Sequence, residues 1–220
     1  MNQVDIRLYA ILGPGDTRGR DLAQCAAAAV AGGATVIQYR DKQSEGRDLV
    51  ANARAIKRAI AGSGASLLIN DRIDVALAAE ADGVHLGQND IAPEDARRLL
   101  GPDAIIGLTL KMTDHARALE GQPIDYSCIG GVFATTSKDN PDPPVGLDGL
   151  ARIEAIARTA LPGAPVGAIA GIGLREIPAV IGAGADGVAV ISAIFGHDDI
   201  EKAARILRDA IDRALAARGA

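Results

Sequence analysis

Side chains that would suit a bound polyphosphate follow the second of eight strand-like segments in the sequence. That segment ends in the letters QYRDK, in which Gln38, Arg40 and Lys42 occupy alternate positions. Because successive side chains of a strand point to opposite faces, these three share one face. Two cations and an amide on one face favour a polyphosphate ligand. The alternative is a solvated strand end whose charges face water.

Two carboxyl groups follow the next two strand-like segments. The third segment ends in NDR, with Asn70 and Asp71, and the fourth runs into HLGQND, with His85 and Asp90. Magnesium commonly binds one or two protein carboxylates together with substrate phosphates, so Asp71 and Asp90 are predicted to bind Mg²⁺. Two alternatives stay open: Asp90 as the N-cap of the following helix, and His85 as a structural rather than a catalytic histidine.

A second anion site is predicted after the last two strand-like segments. These segments read AIAGIG and VISAIF and contain Gly171, Ile191 and Ser192. Loops at this position of a barrel often bind phosphate through backbone N–H groups and the start of a short helix. Taken alone, AGIG is also compatible with ordinary turn chemistry. Two anion sites in one mouth would suit an enzyme that joins two phosphorylated molecules or moves a group between them.

A long loop, GGVFATTSKDNPDPP, spans residues 130–144 and combines hydroxyl groups, a lysine and several prolines. Loops of this length without secondary structure are either functional or disordered. Its position after the sixth strand-like segment, between the two predicted anion sites, favours a function.

The elements that would position these residues alternate along the whole chain. Short apolar runs flanked by glycine predict buried parallel strands: LYAIL, TVIQYR, SLLIND, GVHLG, AIIGLT, YSCIGG, PVGAIAG and GVAVIS. Helix-like segments such as APEDARRLLG lie between them. This order predicts an α/β fold, a single-domain TIM (βα)8 barrel over residues 1–220. A doubly wound sheet is the alternative, but no G-x-G-x-x-G follows the first strand.

Composition limits the remaining classes of function. The net charge of −5 argues against a general nucleic-acid or membrane surface, because both rely on dense basic patches. No signal peptide or membrane-spanning run is recognisable, so a cytoplasmic location is expected. Cys25 and Cys128 lie in a helix pattern and a strand pattern, which predicts buried free thiols rather than a disulfide scaffold or a zinc site.

Several motifs together resemble the thiamine phosphate synthase family. They are QYRDK, LLINDRIDVALAAEADGVHLGQND, FATTSK, PVGL and GIGLREIPAVIGAGADGVAVISAI, in the family's order over nearly the whole chain. The resemblance implies a Mg²⁺-dependent TIM barrel. Its reaction condenses 4-amino-2-methyl-5-(diphosphooxymethyl)pyrimidine with hydroxyethylthiazole phosphate (or carboxythiazole phosphate) to thiamine phosphate and pyrophosphate.

The resemblance also implies roles for individual residues. The pyrimidine diphosphate would be held by Gln38, Tyr39, Arg40, Asp41, Lys42 and Asn70, with Arg40 and Lys42 on its phosphates. Thr109 would donate to the pyrophosphate and Lys138 would neutralise its charge. Asp71 and Asp90 would bind Mg²⁺. The thiazole phosphate would meet Thr135, Thr136, Ser137, Gly171, Ile191 and Ser192.

Four positions depart from the family pattern. Thr109 replaces Ser, Ser137 replaces Thr, Lys111 replaces His, and Ala170 replaces Gly. The first two keep a hydroxyl group, and none removes a charge that the chemistry needs.

The resemblance implies a dissociative displacement, in which pyrophosphate leaves before the thiazole nitrogen attacks. Two other functions stay open: a thiazole tautomerase-like isomerase, and a non-catalytic binder of thiamine precursors. The only partners expected are small-molecule substrates, with no nucleic acid and no membrane, and the resemblance allows a homodimer.

Overall fold

Eight parallel strands close into a barrel in the computed structural model, which describes residues 4–135 and 143–219. Each strand pairs with its neighbours in chain order, and the eighth pairs with the first. The strands are β1 (Leu8–Leu12), β2 (Val36–Tyr39), β3 (Ser66–Asn70), β4 (Gly83–Leu86), β5 (Ile105–Leu110), β6 (Tyr126–Ile129), β7 (Val166–Ile169) and β8 (Gly187–Val190). The predicted TIM barrel is confirmed, and the doubly wound alternative is wrong.

Helices follow the strands on the outside of the barrel. In the described ranges they are α1 (Leu22–Ala31), α2 (Gly46–Ala59), α3 (Ile73–Ala79), α4 (Pro93–Leu100), α5 (Thr113–Arg117), α6 (Gly146–Ala160), α7 (Ile177–Gly182), α8 (Ser192–Phe195) and α9 (Ile200–Arg218). None of the helices within 4–135 and 143–219 is long and apolar enough to cross a membrane.

Strand alternation divides the apolar side chains into two cores. The outward-facing side chains of the strands pack against the helices, as those of Ile37, Leu67 and Ile106 do. The inward-facing side chains form a smaller cluster in the barrel interior that contains Tyr9 and Tyr126. Because the chain has few aromatic residues, these two phenols are the bulkiest groups inside the barrel and bring polar atoms into it.

Gly107 makes room for one of these phenols. A Cβ on Gly107 would lie 2.1 Å from the Tyr126 ring, so any side chain on this position of β5 would displace the ring. Glycine inside a strand commonly marks such a close approach. The position of Tyr126 in the barrel therefore depends on the strand next to its own.

Both cysteines are buried free thiols, as predicted. Burial raises the pKa of the Cys25 thiol, and it raises the pKa of Cys128 to about 12. Neither thiol is therefore an activated nucleophile at neutral pH.

Candidate active site

A cavity of about 650 Å³ opens at the carboxyl ends of the strands. Its size is typical of a small-molecule site, and its place is where TIM barrels carry their chemistry. Its lining includes many of the residues predicted from the sequence: Gln38, Arg40, Asn70, Thr109, Thr135, Gly171, Ile191 and Ser192. The strand ends therefore bring both predicted anion sites to one cavity.

The end of β2 divides its side chains between the cavity and the helix layer. Gln38 and Arg40 line the cavity, and the buried Gln38 amide donates to the hydroxyl group of Tyr9. Tyr39 faces the other way. Its hydroxyl accepts from Asn52 of α2 at 3.1 Å and donates to Asp41 at 2.9 Å. Burial raises the pKa of Tyr39 to about 12, so it keeps its hydrogen.

Asp41 and Lys42 hold the loop after β2. The Asp41 carboxylate accepts from the backbone N–H groups of Gln43 at 3.0 Å and Ser44 at 3.1 Å. Although burial opposes ionisation, hydrogen bonds from Ser44 and Gln43 lower the pKa of Asp41. The Lys42 ammonium group contacts the carboxylate of Asp71. The side chains of Tyr39, Asp41 and Lys42 are thus engaged beside the cavity rather than among the residues that line it.

The two predicted metal ligands are neighbours at the rim. Burial and the adjacent Asp71 carboxyl group raise the pKa of Asp90, while Lys42 acts in the opposite direction. Asp71 has a left-handed backbone, with φ of 61°. Its N–H donates to the carbonyl of His85 on β4 at 3.0 Å. The side chains of Asp71 and Asp90 interact directly.

Asp90 is not the N-cap of the helix that follows it, so that alternative is wrong. The N-cap position of α4 belongs to Ala92. The Asp90 carboxylate instead accepts from the Gly87 N–H at 2.7 Å and closes a turn two residues before the cap. The same carboxyl group also interacts with that of Asp71 at the rim.

Asp71 and Asp90 fit a magnesium ion that takes its remaining ligands from a substrate. Two adjacent carboxylates repel each other, and a divalent cation would relieve that repulsion. Within the described part of the chain, no group of three or more His, Cys, Asp or Glu residues could hold a metal. Phosphate and water oxygens would complete the ligands of a Mg²⁺ ion held by Asp71 and Asp90, as is usual for this ion.

His85 connects the cavity to the barrel interior. Its Nε2 lies 2.8 Å from the Thr109 hydroxyl, and its Nδ1 lies 2.8 Å from the Tyr126 hydroxyl. Tyr126 in turn lies 2.9 Å from the hydroxyl of Tyr9. Sequence analysis missed Tyr9 and Tyr126, although each carries a hydroxyl group at an inward-facing position of an otherwise apolar strand.

The other predicted anion site follows β7 and β8, which lie four strands away from β3 and β4 in the closed barrel. Gly171 has φ of 66°, and Ile191 is the N-cap residue of the short helix α8. Thr135 lines the cavity on the same side. The other three predictions for this loop, Thr136, Ser137 and Lys138, lie outside the described residues.

Comparison with known proteins decides the family. A family model described as thiamine monophosphate synthase matches residues 8–194. The chain belongs to this family. It is 54% identical to a thiamine-phosphate synthase of Agrobacterium fabrum over 218 residues, 99% of each chain. It is also 44% identical to that of Moorella thermoacetica over 207 residues, 94% of this chain and 96% of the relative.

A solved structure supports the same assignment. The thiamine phosphate pyrophosphorylase of Pyrococcus furiosus superimposes with a TM-score of 0.82 at 33% identity, covering 96% of this chain and 98% of that one. The expected thiamine phosphate synthase family and a transferase of thiamine biosynthesis are confirmed. The cavity described above is therefore the candidate active site of a thiamine monophosphate synthase family member.

Gly171→Ala should weaken the use of thiazole phosphate by this synthase-family chain. A Cβ on Gly171 would lie 2.5 Å from the Ala134 carbonyl oxygen, so the loop after β7 must move. We expect the KM for thiazole phosphate to rise about tenfold, which corresponds to a loss of about 1.4 kcal/mol of binding free energy. Gly163→Ala is the control, because φ of 86° imposes similar strain in open space away from the cavity. Equal KM values for both variants would contradict a phosphate role for Gly171.

Ala170→Gly should stabilise the protein. Ala170 has φ of 93°, a conformation that strains a residue with a Cβ, at a position where the family pattern has glycine. Relief of that strain, less the entropy that glycine adds to the unfolded chain, should raise the free energy of unfolding by about 1 kcal/mol. Denaturant titration measures it. Ala168→Gly, in the buried strand β7, should lower stability, and a loss in both variants would contradict the strain.

Proposed function

We propose that this cavity joins the pyrimidine diphosphate to the thiazole phosphate and releases thiamine phosphate and pyrophosphate. The observation that carries the proposal is that both groups of residues proposed to bind anions line one cavity. One region has the Arg40 and Thr109 side chains, and the other has the backbone around Gly171 and Ile191. A chain that held a single phosphate would need only one of them.

The bond changes proposed are those of a dissociative substitution. The C–O bond between the pyrimidine methylene carbon and the diphosphate breaks first, and the leaving oxygen keeps the electron pair. The thiazole nitrogen then donates its lone pair to the methylene carbon, so that a C–N bond forms. This sequence needs no strong base. It needs stabilisation of the negative charge that develops on the leaving diphosphate.

Residues at the rim would supply that stabilisation. Arg40 lines the cavity as a cation. The Thr109 hydroxyl, 2.8 Å from Nε2 of His85, would donate to a phosphate oxygen. Lys42 and Lys138 are proposed as the further cations. When bound by Asp71 and Asp90, Mg²⁺ would neutralise diphosphate charge and raise the leaving ability of the group. Gln38 and Asn70 would hold the pyrimidine half.

Water must be excluded from a cationic pyrimidine intermediate, since water would capture it. The lining of the cavity supports this need, because it includes the apolar side chains of Ile11, Ile169 and Ala189. Tyr39 and Asp41 would contribute through the conformation of the loop after β2, since their side chains contact α2 and the loop itself.

The remaining proposals concern the whole chain. We propose a single catalytic domain over residues 1–220 that works in the cytoplasm with Mg²⁺. Its partners are proposed to be the two small-molecule substrates, without nucleic acid or membrane, and a homodimer is the proposed assembly.

A product assay separates the three candidate functions. Purified protein, Mg²⁺ and both substrates should yield thiamine phosphate and an equal amount of pyrophosphate, detected by mass spectrometry. Conversion of the thiazole phosphate to a tautomer, with no joining to the pyrimidine, would indicate an isomerase. Tight binding in calorimetry without any product would indicate a non-catalytic binder.

A further inference from the structure

A column of polar groups runs through the barrel interior to the cavity. The Gln38 amide nitrogen donates to the Tyr9 hydroxyl, which lies 2.9 Å from the Tyr126 hydroxyl. Tyr126 is 2.8 Å from Nδ1 of His85, and Nε2 of the same ring is 2.8 Å from the Thr109 hydroxyl. Five side chains from five strands are thus connected by four hydrogen bonds.

The contacts of this column are compatible with one direction of hydrogen donation. Tyr9 accepts a hydrogen from Gln38, and we assign the single hydrogen of Tyr9 to the Tyr126 oxygen 2.9 Å away. In that arrangement Tyr126 directs its hydrogen to Nδ1 of His85, 2.8 Å away, and Nδ1 is the acceptor. A neutral imidazole with an acceptor at Nδ1 carries its hydrogen on Nε2. That N–H donates to the Thr109 oxygen.

We infer that the chain through Tyr126 and His85 orients the hydroxyl hydrogen of Thr109 into the cavity. His85 is therefore a positioning residue that acts through Thr109. The inference rests on the proposed function, in which Thr109 donates to the diphosphate. It assigns to His85 the role that sequence analysis left open.

The direction matters because a diphosphate only accepts hydrogen bonds. A Thr109 hydroxyl that donated to His85 would present its lone pairs to the anion and repel it. With Nε2–H as donor, the Thr109 oxygen is satisfied by His85 and its hydrogen remains for the ligand. Donors oriented before the charge develops cost no reorganisation during the reaction.

Burial keeps the column intact. Tyr9 and Tyr126 are 1% and 0% exposed. Burial is the main cause that raises the pKa of each phenol above its ordinary value. Both phenols therefore keep the hydrogens on which the direction depends.

The tautomer of His85 tests the inference without any substrate. The chain has three histidines, so ¹⁵N spectra of histidine-labelled protein contain the signals of three imidazole rings. The signals that disappear in His85→Gln belong to His85. We expect hydrogen on Nε2 and a bare Nδ1. Hydrogen on Nδ1, in a neutral or a charged ring, would overturn the inference even if the wild-type protein makes thiamine phosphate.

Kinetics of two matched variants test its consequence. Tyr126→Phe removes the donor to His85, whereas Tyr9→Phe leaves that donor in place. We expect kcat to fall about tenfold in Tyr126→Phe and clearly less in Tyr9→Phe, with the KM for thiazole phosphate unchanged in both. In a Thr109→Ala background, Tyr126→Phe should have no further effect on kcat.

Equal losses in the two phenylalanine variants, or a full additional loss in the Thr109→Ala background, would overturn the inference. If Tyr126→Phe does not fold, the tautomer of the wild-type ring decides the question alone. A wild-type protein that makes no thiamine phosphate would refute the proposed function instead, and the tautomer result would stand apart from that failure.

Discussion

Asp71→Asn should lower the rate of thiamine phosphate formation by about 10³-fold while the fold persists. The variant removes one of two adjacent carboxylates at the rim and so weakens the proposed magnesium site, which stabilises the leaving diphosphate. Asparagine suits the test because it tolerates the left-handed backbone that Asp71 adopts, with φ of 61°. The backbone hydrogen bond to His85 also remains.

Initial rates over a series of Mg²⁺ concentrations measure this effect. The variant should need more Mg²⁺ for half-maximal rate, and its thermal unfolding should match that of the wild type. Asp74→Asn is the matched control, because Asp74 pairs with Arg72 on the surface, away from the cavity. Asp90→Asn, which keeps an oxygen for the Gly87 N–H, should reproduce the Asp71→Asn loss.

The double variant sharpens the test. If both carboxylates bind the same ion, removal of either one already weakens the binding of that ion, and removal of the second adds little. Asp71→Asn combined with Asp90→Asn should be little slower than either single variant. A single variant that keeps the wild-type rate and Mg²⁺ dependence would contradict the assignment of these carboxylates.

Thr109→Ala should lower kcat by about 10²-fold, the usual cost of one hydrogen-bond donor to a developing oxyanion. The hydroxyl lies in the cavity and is held at 2.8 Å from Nε2 of His85. Thr109→Ser keeps the hydroxyl group and should stay within a few-fold of wild type. The KM for thiazole phosphate should be unchanged, since that half of the substrate pair is proposed to bind near Gly171 and Ser192.

Steady-state kinetics with each substrate varied in turn separate these effects. Alanine and serine variants with the same kcat would show that the methyl group or the packing matters rather than the hydroxyl. A loss confined to the KM for thiazole phosphate would place Thr109 in the other half of the site.

The fold was readable from the sequence because every strand is a short apolar run between polar or glycine-rich segments. All eight such segments coincide with strands of the barrel, and only β5 extends one residue beyond its segment, to Leu110. Burial on both faces of a parallel strand produces these runs, and the regular alternation with helices leaves few other topologies. The strands could be recognised although the chain has few aromatic residues, because Val, Ile, Leu and Ala form the apolar runs.

The site was readable only in part, because strand alternation predicts a face but not a height in the barrel. It correctly directed Gln38 and Arg40 into the cavity. The contact between His85 and Thr109 depends on the stagger between β4 and β5, where His85 pairs with Gly107 rather than with Thr109. Such register is set by packing between strands and cannot be seen along one segment.

Two further predictions depended on backbone turns and side-chain directions that spacing along the sequence does not reveal. The N-cap alternative for Asp90 was reasonable from spacing, but the chain makes an additional turn through Gly87 before α4 begins. The motif QYRDK led to Tyr39 and Asp41 as substrate contacts, yet the Tyr39 side chain faces α2 and Asp41 caps its own loop. For both residues, binding of the pyrimidine diphosphate stays a prediction.

The central claim is that two anion-binding regions share one barrel mouth. A crystal structure with Mg²⁺, pyrophosphate and thiamine phosphate tests it most directly. We predict pyrophosphate against Arg40 and Thr109, with Mg²⁺ between it and the two rim carboxylates. The phosphate of thiamine phosphate should lie on the backbone N–H groups near Gly171 and Ser192. Pyrophosphate bound away from Arg40 and Thr109, or both ligands in the same half of the cavity, would contradict the claim.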